Sequence, residues 1–435
     1  MAHSNTLTPQ FSALIPLLVF VFTFLGVGIQ QNDFYALPAP IAVIVGIIVA
    51  FLMFGQSVKS KIGTLLKGCG DEKILTMCLI YLLAGAFAAL TKQTGSVEAI
   101  VNLGLDLIAL QYIYVGIFII AGFLSISTGT SVGSIVALAP IVVGFAEESS
   151  ADLALLCGAL LGGSMFGDNL SVISDTTIAA TQSLGCKMGD KFKQNIKIAV
   201  PVALFTIGIL LFQGWDLGSV ETETAAYSYS VVKILPYVLV IVLSIAGVNV
   251  FVTLLFGAIA AGILGIVYGD FTLMESTKIA YTGFTNMTEI FLLSLLTGGL
   301  AALVQKNGGI DFLLVHIKRR IKNRKTAQLG MAALVGTINM AIANNTVSII
   351  IAGPIAKSIT DEYGLDKKKT ASILDIFACI SQGFLPYGAQ VLMILSFAKG
   401  QIDYLDLVFN TWYLLLLLIY TLLFIGLLPT RHGSA

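Results

Sequence analysis

Two aspartates, Asp168 and Asp175, stand in the segment GDNLSVISDTT, Gly167 to Thr177, inside one of the longest apolar regions of the chain. The segment adds an amide at Asn169 and hydroxyls at Ser171, Ser174, Thr176 and Thr177. Oxygen sets of this kind suit a hard cation such as Na+. A carboxylate holds either a cation or a proton, and loss of hydration disfavours its bare charged form. One aspartate could therefore hold Na+ and H+ in turn, and a carrier whose loaded forms alone cross would exchange them. Asp168 is the expected Na+ ligand, with Asn169, Ser171, Ser174, Asp175 and Thr176 around it. An aspartate at bilayer centre costs about 3 kcal/mol, so these carboxylates are expected to face protein and water. Plainer roles compete: Asp168 as a helix N-cap after Gly167, and Asp175 as a cap near a helix start.

Three other polar interruptions break apolar stretches. SISTGTS, Ser125 to Ser131, separates two arms that are each short for a full crossing. It reads as a re-entrant hairpin over residues 111–146 with its tip at Ser127, Thr128, Gly129, Thr130 and Ser131; one long kinked helix is the alternative. ANNT, Ala343 to Thr346, interrupts a second paired segment, 329–359, and offers Asn344, Asn345 and Thr346. PYGAQ breaks the segment 370–397 and offers Pro386, Tyr387, Gly388 and Gln390. Asp375, in the arm before it, is either a second titrating group or a structural partner. A broken helix frees backbone carbonyls, which ligate cations.

These interruptions need a membrane around them. Of 435 residues, 57% are hydrophobic and only 11% charged, against about 25% charged in a soluble domain. Repeated apolar runs of about 20 residues indicate an all-α integral membrane protein, and they lack the short alternation of barrel strands. The zero net charge gives no reason to expect nucleic acid. The five cysteines are scattered, with no metal or disulfide spacing, and no cofactor is expected. The N-terminus lacks signal-peptide features, so its apolar run is expected to be retained. About ten spans are expected: 11–29, 36–54, 74–91, the broken segment 152–181, 196–212, 232–247, 251–268, 290–304, the broken segment 370–397, and 404–428. Basic loops are expected over Lys59 to Lys73, Lys187 to Lys197, Lys318 to Lys325 and Lys367 to Lys369.

The two halves resemble each other. AGAFAALTKQTGSVEAIV, Ala84 to Val101, aligns with GGLAALVQKNGGIDFLLV, Gly298 to Val315, at a shift of 214 residues. Lys92 then falls on Lys306, Pro140 on Pro354, and Thr130 and Ser131 on Asn344 and Asn345. With a few inserted residues, Gly167 is expected to match Gly388, and Asn169 to match Gln390. The expected domains are a first repeat over 1–213, an acidic linker over 214–230 and a second repeat over 231–435. Five spans per half is an odd number, which places the repeats in opposite orientations, the plan of many secondary transporters. The lysine-rich loops fall on one side and Asp216, Glu221, Glu223, Asp270 and Glu275 on the other. The positive-inside rule makes the basic side cytoplasmic, with both termini there.

GDNLSVISDTT resembles the GD-x-L-S-x-x-SDTT signature of the NhaC-type sodium/proton antiporters. GTSVGSIVALAP, Gly129 to Pro140, is similar to the Gly-Thr-Ser hairpin segment that precedes it there. The resemblance covers most of the chain. It implies a carrier of the bacterial inner membrane that exchanges Na+ for H+, built from two inverted repeats with a hairpin and a broken helix each. The ANNT tip also looks like the tips of sodium-coupled carboxylate carriers in the same superfamily. Asn169 departs from the lysine that the family often has there, which puts the substrate in doubt more than the fold.

Two functions follow. The first is Na+/H+ antiport by alternating access, with both ions competing at Asp168. The alternative is a Na+- or H+-coupled carrier of an amino acid or small carboxylate, suggested by the polar tip at Asn344 and Asn345. Enzymatic chemistry has no support, because no nucleophile motif, His–Glu metal spacing or phosphate loop occurs. Membrane lipid is an expected partner, and a homodimer is one option.

Overall fold

The computed structural model describes residues 9–31, 37–172, 174–219 and 229–427. Ile173, most of the expected linker with Glu221 and Glu223, and both chain ends lie outside the described residues. All regular structure among the described residues is helical. The first half contains α1 (Ile15–Gln31), α2 (Ala39–Met53), α3 (Val58–Cys69), α4 (Glu72–Gln93), α5 (Ser96–Leu107), α6 (Ile113–Thr128), α7 (Ser131–Glu148), α8 (Leu153–Leu170), α9 (Asp175–Leu184) and α10 (Met188–Gly214). The second contains α11 (Val231–Ile245), α12 (Val250–Tyr268), α13 (Leu273–Asn286), α14 (Thr288–Lys306), α15 (Gly309–Arg319), α16 (Arg324–Ile342), α17 (Asn345–Glu362), α18 (Lys367–Phe384), α19 (Ala389–Ala398), α20 (Tyr404–Asn410) and α21 (Trp412–Leu427).

Among the described residues eight helical stretches are long and apolar enough to cross a membrane, or nine if the bent pair α20 and α21 forms one span. Both arms of the first expected hairpin, Leu110–Thr128 and Ser131–Glu148, reach that length, so they are longer than the sequence suggested. Three expected spans, in α1, α2 and α11, are shorter apolar helices. The lysines 59, 61 and 67 lie on helix α3 rather than in a loop, and Lys191, Lys193 and Lys197 lie in α10.

A shift of 214 residues carries α7 onto α17, α8 onto α18 and α9 onto α19 with identical end points. The expected insertion is therefore absent. Four positions separate the end of α8 from the start of α9, and four separate the end of α18 from the start of α19, so the register is the same in both halves. Asp168 falls opposite Gln382 and Thr176 opposite Gln390; Gly167 and Asn169 fall opposite Ser381 and Gly383, not Gly388 and Gln390. The first break also lies later than expected, because Gly167, Asp168 and Asn169 still belong to the last turn of α8.

Local chemistry sets these ends. Ser174 caps α9 by accepting from the Thr177 amide at 3.2 Å, and Asn344 caps α17 by accepting from the Val347 amide at 3.0 Å, which satisfies one otherwise orphaned donor per helix. Gly129 closes α6 at φ 70°, while its counterpart Ala343 closes α16 at φ 55°. A left-handed alanine carries strain that glycine does not.

The half-helices are exchanged between the halves. After its break, α9 packs against α17 and α18, and α19 packs against α7. Small residues bring the broken helix close to the hairpin. A Cβ at Gly163 would lie 2.2 Å from the Phe118 carbonyl oxygen, and one at Gly167 would lie 2.3 Å from that of Gly122. Only glycine permits this approach of α8 to α6.

Candidate functional site

Asp168 ends α8 beside both breaks and the first tip. Its carboxylate accepts from the Ser131 hydroxyl at 2.9 Å and from the Thr176 hydroxyl at 3.4 Å. Ser131 opens α7, so the hairpin tip delivers it; Thr176 opens α9, so the far side of the break delivers it. The second half completes the group. The Gln390 amide donates to the Ser131 hydroxyl at 3.0 Å, and the Gln382 amide donates to Gln390 Oε1 at 3.0 Å. Gln382 also reaches the Ala343 carbonyl at the second tip, at 3.4 Å. One polar chain thus runs from the first tip through Asp168's partners to the second.

These groups face a cavity of about 650 Å3. Its lining includes Thr128, Gly129, Thr130, Ser131, Asp168, Asp175, Thr176, Asn344, Asn345, Thr346, Gln382 and Gln390. It extends to Glu72 and Lys73 at the start of α4 and to the connection 247–250. Asp168 is 4% exposed and Asp375 0%. These are the two buried carboxylates among the described residues, and only Asp168 lines the cavity. Asp168, Ser131 and Thr176 together offer carboxylate and hydroxyl oxygens to a cation entering it.

The structure separates other residues that the sequence grouped with Asp168. Asn169 turns away and donates to the Tyr413 hydroxyl at 3.2 Å. Ser171 donates to the Ile126 carbonyl at 3.1 Å. Ser174 serves the α9 cap, and Asp175 is an exposed residue in the first turn of α9 at the cavity edge. Ser127 bonds back to the Phe123 carbonyl at 2.9 Å, within its own helix. At the second tip, Asn345 Oδ1 accepts from the Thr346 amide at 2.9 Å. Tyr387 leaves the cavity: its hydroxyl donates to the Met340 carbonyl at 2.5 Å and its ring packs edge-on against Phe20. Pro386 borders a separate small pocket, and Gly388 ends the second break.

Asp375 belongs to a different cluster, which sequence reading missed. Lys191 lies 2.8 Å from its Oδ2, and both side chains are fully buried. Asn195 donates to the same oxygen at 2.8 Å, and Ser372 donates to Asn195 at 2.5 Å. Lys191 had read as one of several loop lysines. The available signal was helical phase: Lys191, Asn195, Ile198 and Val202 share the buried face of α10. Gln382 would have been found by applying the 214-residue shift without insertion.

A family model described as the Na+/H+ antiporter family matches residues 6–215 and 216–428. The malate-2H(+)/Na(+)-lactate antiporter of Bacillus subtilis (strain 168) is 23% identical over 408 residues, covering 86% of this chain and 86% of the relative. The Na(+)/H(+) antiporter NhaC of Alkalihalophilus pseudofirmus (strain ATCC BAA-2126 / JCM 17055 / OF4) is 23% identical over 363 residues, covering 76% of this chain and 78% of the relative. Among solved structures, the Alcanivorax borkumensis YdaH transporter aligns with a TM-score of 0.42 at 13% identity, covering 96% of this chain and 98% of that one.

Proposed function

The chain belongs to the Na+/H+ antiporter family, and we propose that it exchanges Na+ for H+ by loading either ion at Asp168. The observation that carries this reading is the position of Asp168, the buried carboxylate that lines the cavity. Na+ entering from the cavity meets that carboxylate with the Ser131 and Thr176 hydroxyls beside it. H+ neutralises the same group. A bare carboxylate is costly in this position, so the site crosses loaded, and exchange follows.

The halves act as inverted repeats in a bacterial inner membrane, with the lysine-rich face in the cytoplasm. The cavity then opens inward, since it reaches Lys73 and the 247–250 connection. The two tips and two breaks meet at mid-membrane, and alternating access exposes Asp168 to each side in turn.

The test is internal pH in proteoliposomes when NaCl is added outside. Wild type is expected to move protons with sodium alone, and Asp168→Asn to abolish the movement. Wild-type exchange retained by the variant overturns the role of Asp168.

A second reading is favoured by the size of the cavity, by its neutral lining and by the name of a relative. A cavity of about 650 Å3 exceeds the need of a monovalent cation and has the size of a small-molecule site. Asn344, Asn345 and Thr346 give it neutral donors and acceptors, and the Bacillus subtilis relative is named for malate and lactate. An amino acid or small carboxylate would occupy the space between the tips. Adding such solutes separately decides it: proton movement that needs the solute supports this reading, and movement with sodium alone supports antiport.

A further inference from the structure

Four charged side chains are buried among the described residues: Lys61, Asp168, Lys191 and Asp375. Lys61 donates to the Phe51 carbonyl at 2.6 Å, where α2 ends. Of the other three, Asp168 alone lines the cavity.

Lys191 has three N–H donors and three acceptors. Besides Asp375 Oδ2 at 2.8 Å, its ammonium reaches the Asn169 carbonyl at 3.1 Å and the Thr177 hydroxyl oxygen at 2.6 Å. A neutral amine has one donor fewer and a lone pair that would face an acceptor. On the other side, Asp375 Oδ2 accepts from both Lys191 and Asn195, while Oδ1 has no hydrogen-bond partner. Compensation of Asp375 therefore rests on one lysine. Removing one partner of a fully buried pair leaves an uncompensated charge, whereas removing both does not.

The pair also spans the first break. Asn169 follows Asp168 at the end of α8, and Thr177 lies in the first turn of α9. Asp375 and Ser372 belong to α18 of the other half. Lys191 and Asn195 in α10 thus fasten both sides of the break that presents Asp168 and tie them to the second half. At the place that the 214-residue shift assigns to Asp168, the second half has the neutral Gln382.

We propose that Lys191 and Asp375 stay ionised throughout the cycle as positioning residues, so that Asp168 is the one buried charge that changes its ion. Each turnover then exchanges one Na+ for one H+ and moves no net charge. The charges balance: Asp168 is neutral with either ion, and the lysine–carboxylate pair is neutral throughout. This inference rests on the reading of Asp168 as the exchange site.

The experiment uses the full chain in proteoliposomes with equal Na+ on both sides. A potassium diffusion potential is imposed with valinomycin and internal pH is followed. No pH change beyond that of protein-free vesicles is expected. A Na+ gradient at zero potential is then expected to give a pH change. Potential-driven proton movement with Na+ at equilibrium would overturn electroneutral exchange. Absence of any response to the Na+ gradient would instead overturn the exchange reading itself.

Two variants test the pair. Lys191→Met is expected to slow exchange about tenfold or more, because it strands Asp375. Lys191→Met combined with Asp375→Asn is expected to recover much of that loss and to remain insensitive to potential. A purely mechanical role changes rate alone, whereas a pair that carried transported charge would change the response to potential. Potential-driven exchange in the double variant, or a wild-type rate in Lys191→Met, would contradict the proposal. The wild-type measurement decides the charge count without any variant.

Discussion

At Asp168 the decisive features are two hydroxyl donors and an open route to water-sized ligands. The Ser131 hydroxyl both donates to Asp168 and accepts from Gln390, so one small side chain couples the carboxylate to the second half. Ser131→Ala removes a charge-assisted hydrogen bond worth about 1.5 kcal/mol. Apparent Na+ affinity is expected to fall roughly tenfold, read from the Na+ dependence of proton movement, with the protein still folded. Asp175 makes the opposite case. It is exposed at the cavity edge, where charge interactions are weak and screened. Asp175→Asn is expected to stay within about fivefold of wild-type affinity, since its effect amounts to less than about 1 kcal/mol. Complete loss of activity there would place the ion nearer the start of α9 than the end of α8. The sequence already favoured Asp168 and placed Asp175 beside it as a further ligand. That Asp175 is exposed was not legible, because which aspartate is buried depends on where α8 stops and α9 begins.

At the scale of elements, the glycines of α8 and the strained turn before α17 hold the site. Gly167→Ala would place a Cβ 2.3 Å from the Gly122 carbonyl oxygen and 2.5 Å from Ser125 Cβ. Backbone cannot yield as a flexible side chain does, so the helices must separate, at about 1–3 kcal/mol. Thermal unfolding in detergent is expected at lower temperature, with transport impaired because Asp168 is the next residue. Gly189→Ala is the matched control: nothing lies within 4 Å of the added Cβ. At the second tip, Ala343→Gly relieves a left-handed alanine and is expected to stabilise by about 1 kcal/mol. No gain in unfolding temperature would mean that the turn is held by other contacts. Four breaks were legible in the sequence as polar interruptions in apolar runs. Their boundaries were less so. The sequence put Gly167, Asp168 and Asn169 in the first gap, because GDNLS reads as a polar interruption of an apolar run. Within α8, Gly167 instead serves close helix packing, and the carbonyl of Asn169 is held by Lys191 and Asn195.

At the scale of the molecule, apolar run length was enough to read an all-helical membrane protein, and a 214-residue shift was enough to relate its halves. The exchange of half-helices was not readable. That α9 packs against α17 and α18, and α19 against α7, depends on contacts between segments remote in the chain. The buried pair between Lys191 and Asp375 follows from the same exchange, since it joins α10 to α18. The proposed inward-open cavity makes a topological prediction. Asn249→Cys, at the cavity mouth, is expected to react with a membrane-impermeant thiol reagent in inside-out vesicles and not in right-side-out vesicles. The reverse pattern would invert the orientation. The claim on which the rest depends is that Na+ and H+ share Asp168. Equilibrium binding of radioactive Na+ to the purified protein across a pH series tests it most directly. The account predicts that, below the pH at which the site begins to protonate, apparent Na+ affinity falls about tenfold per pH unit, and that Asp168→Asn removes specific binding. Undiminished Na+ binding by that variant, with the wild-type pH dependence, would contradict it.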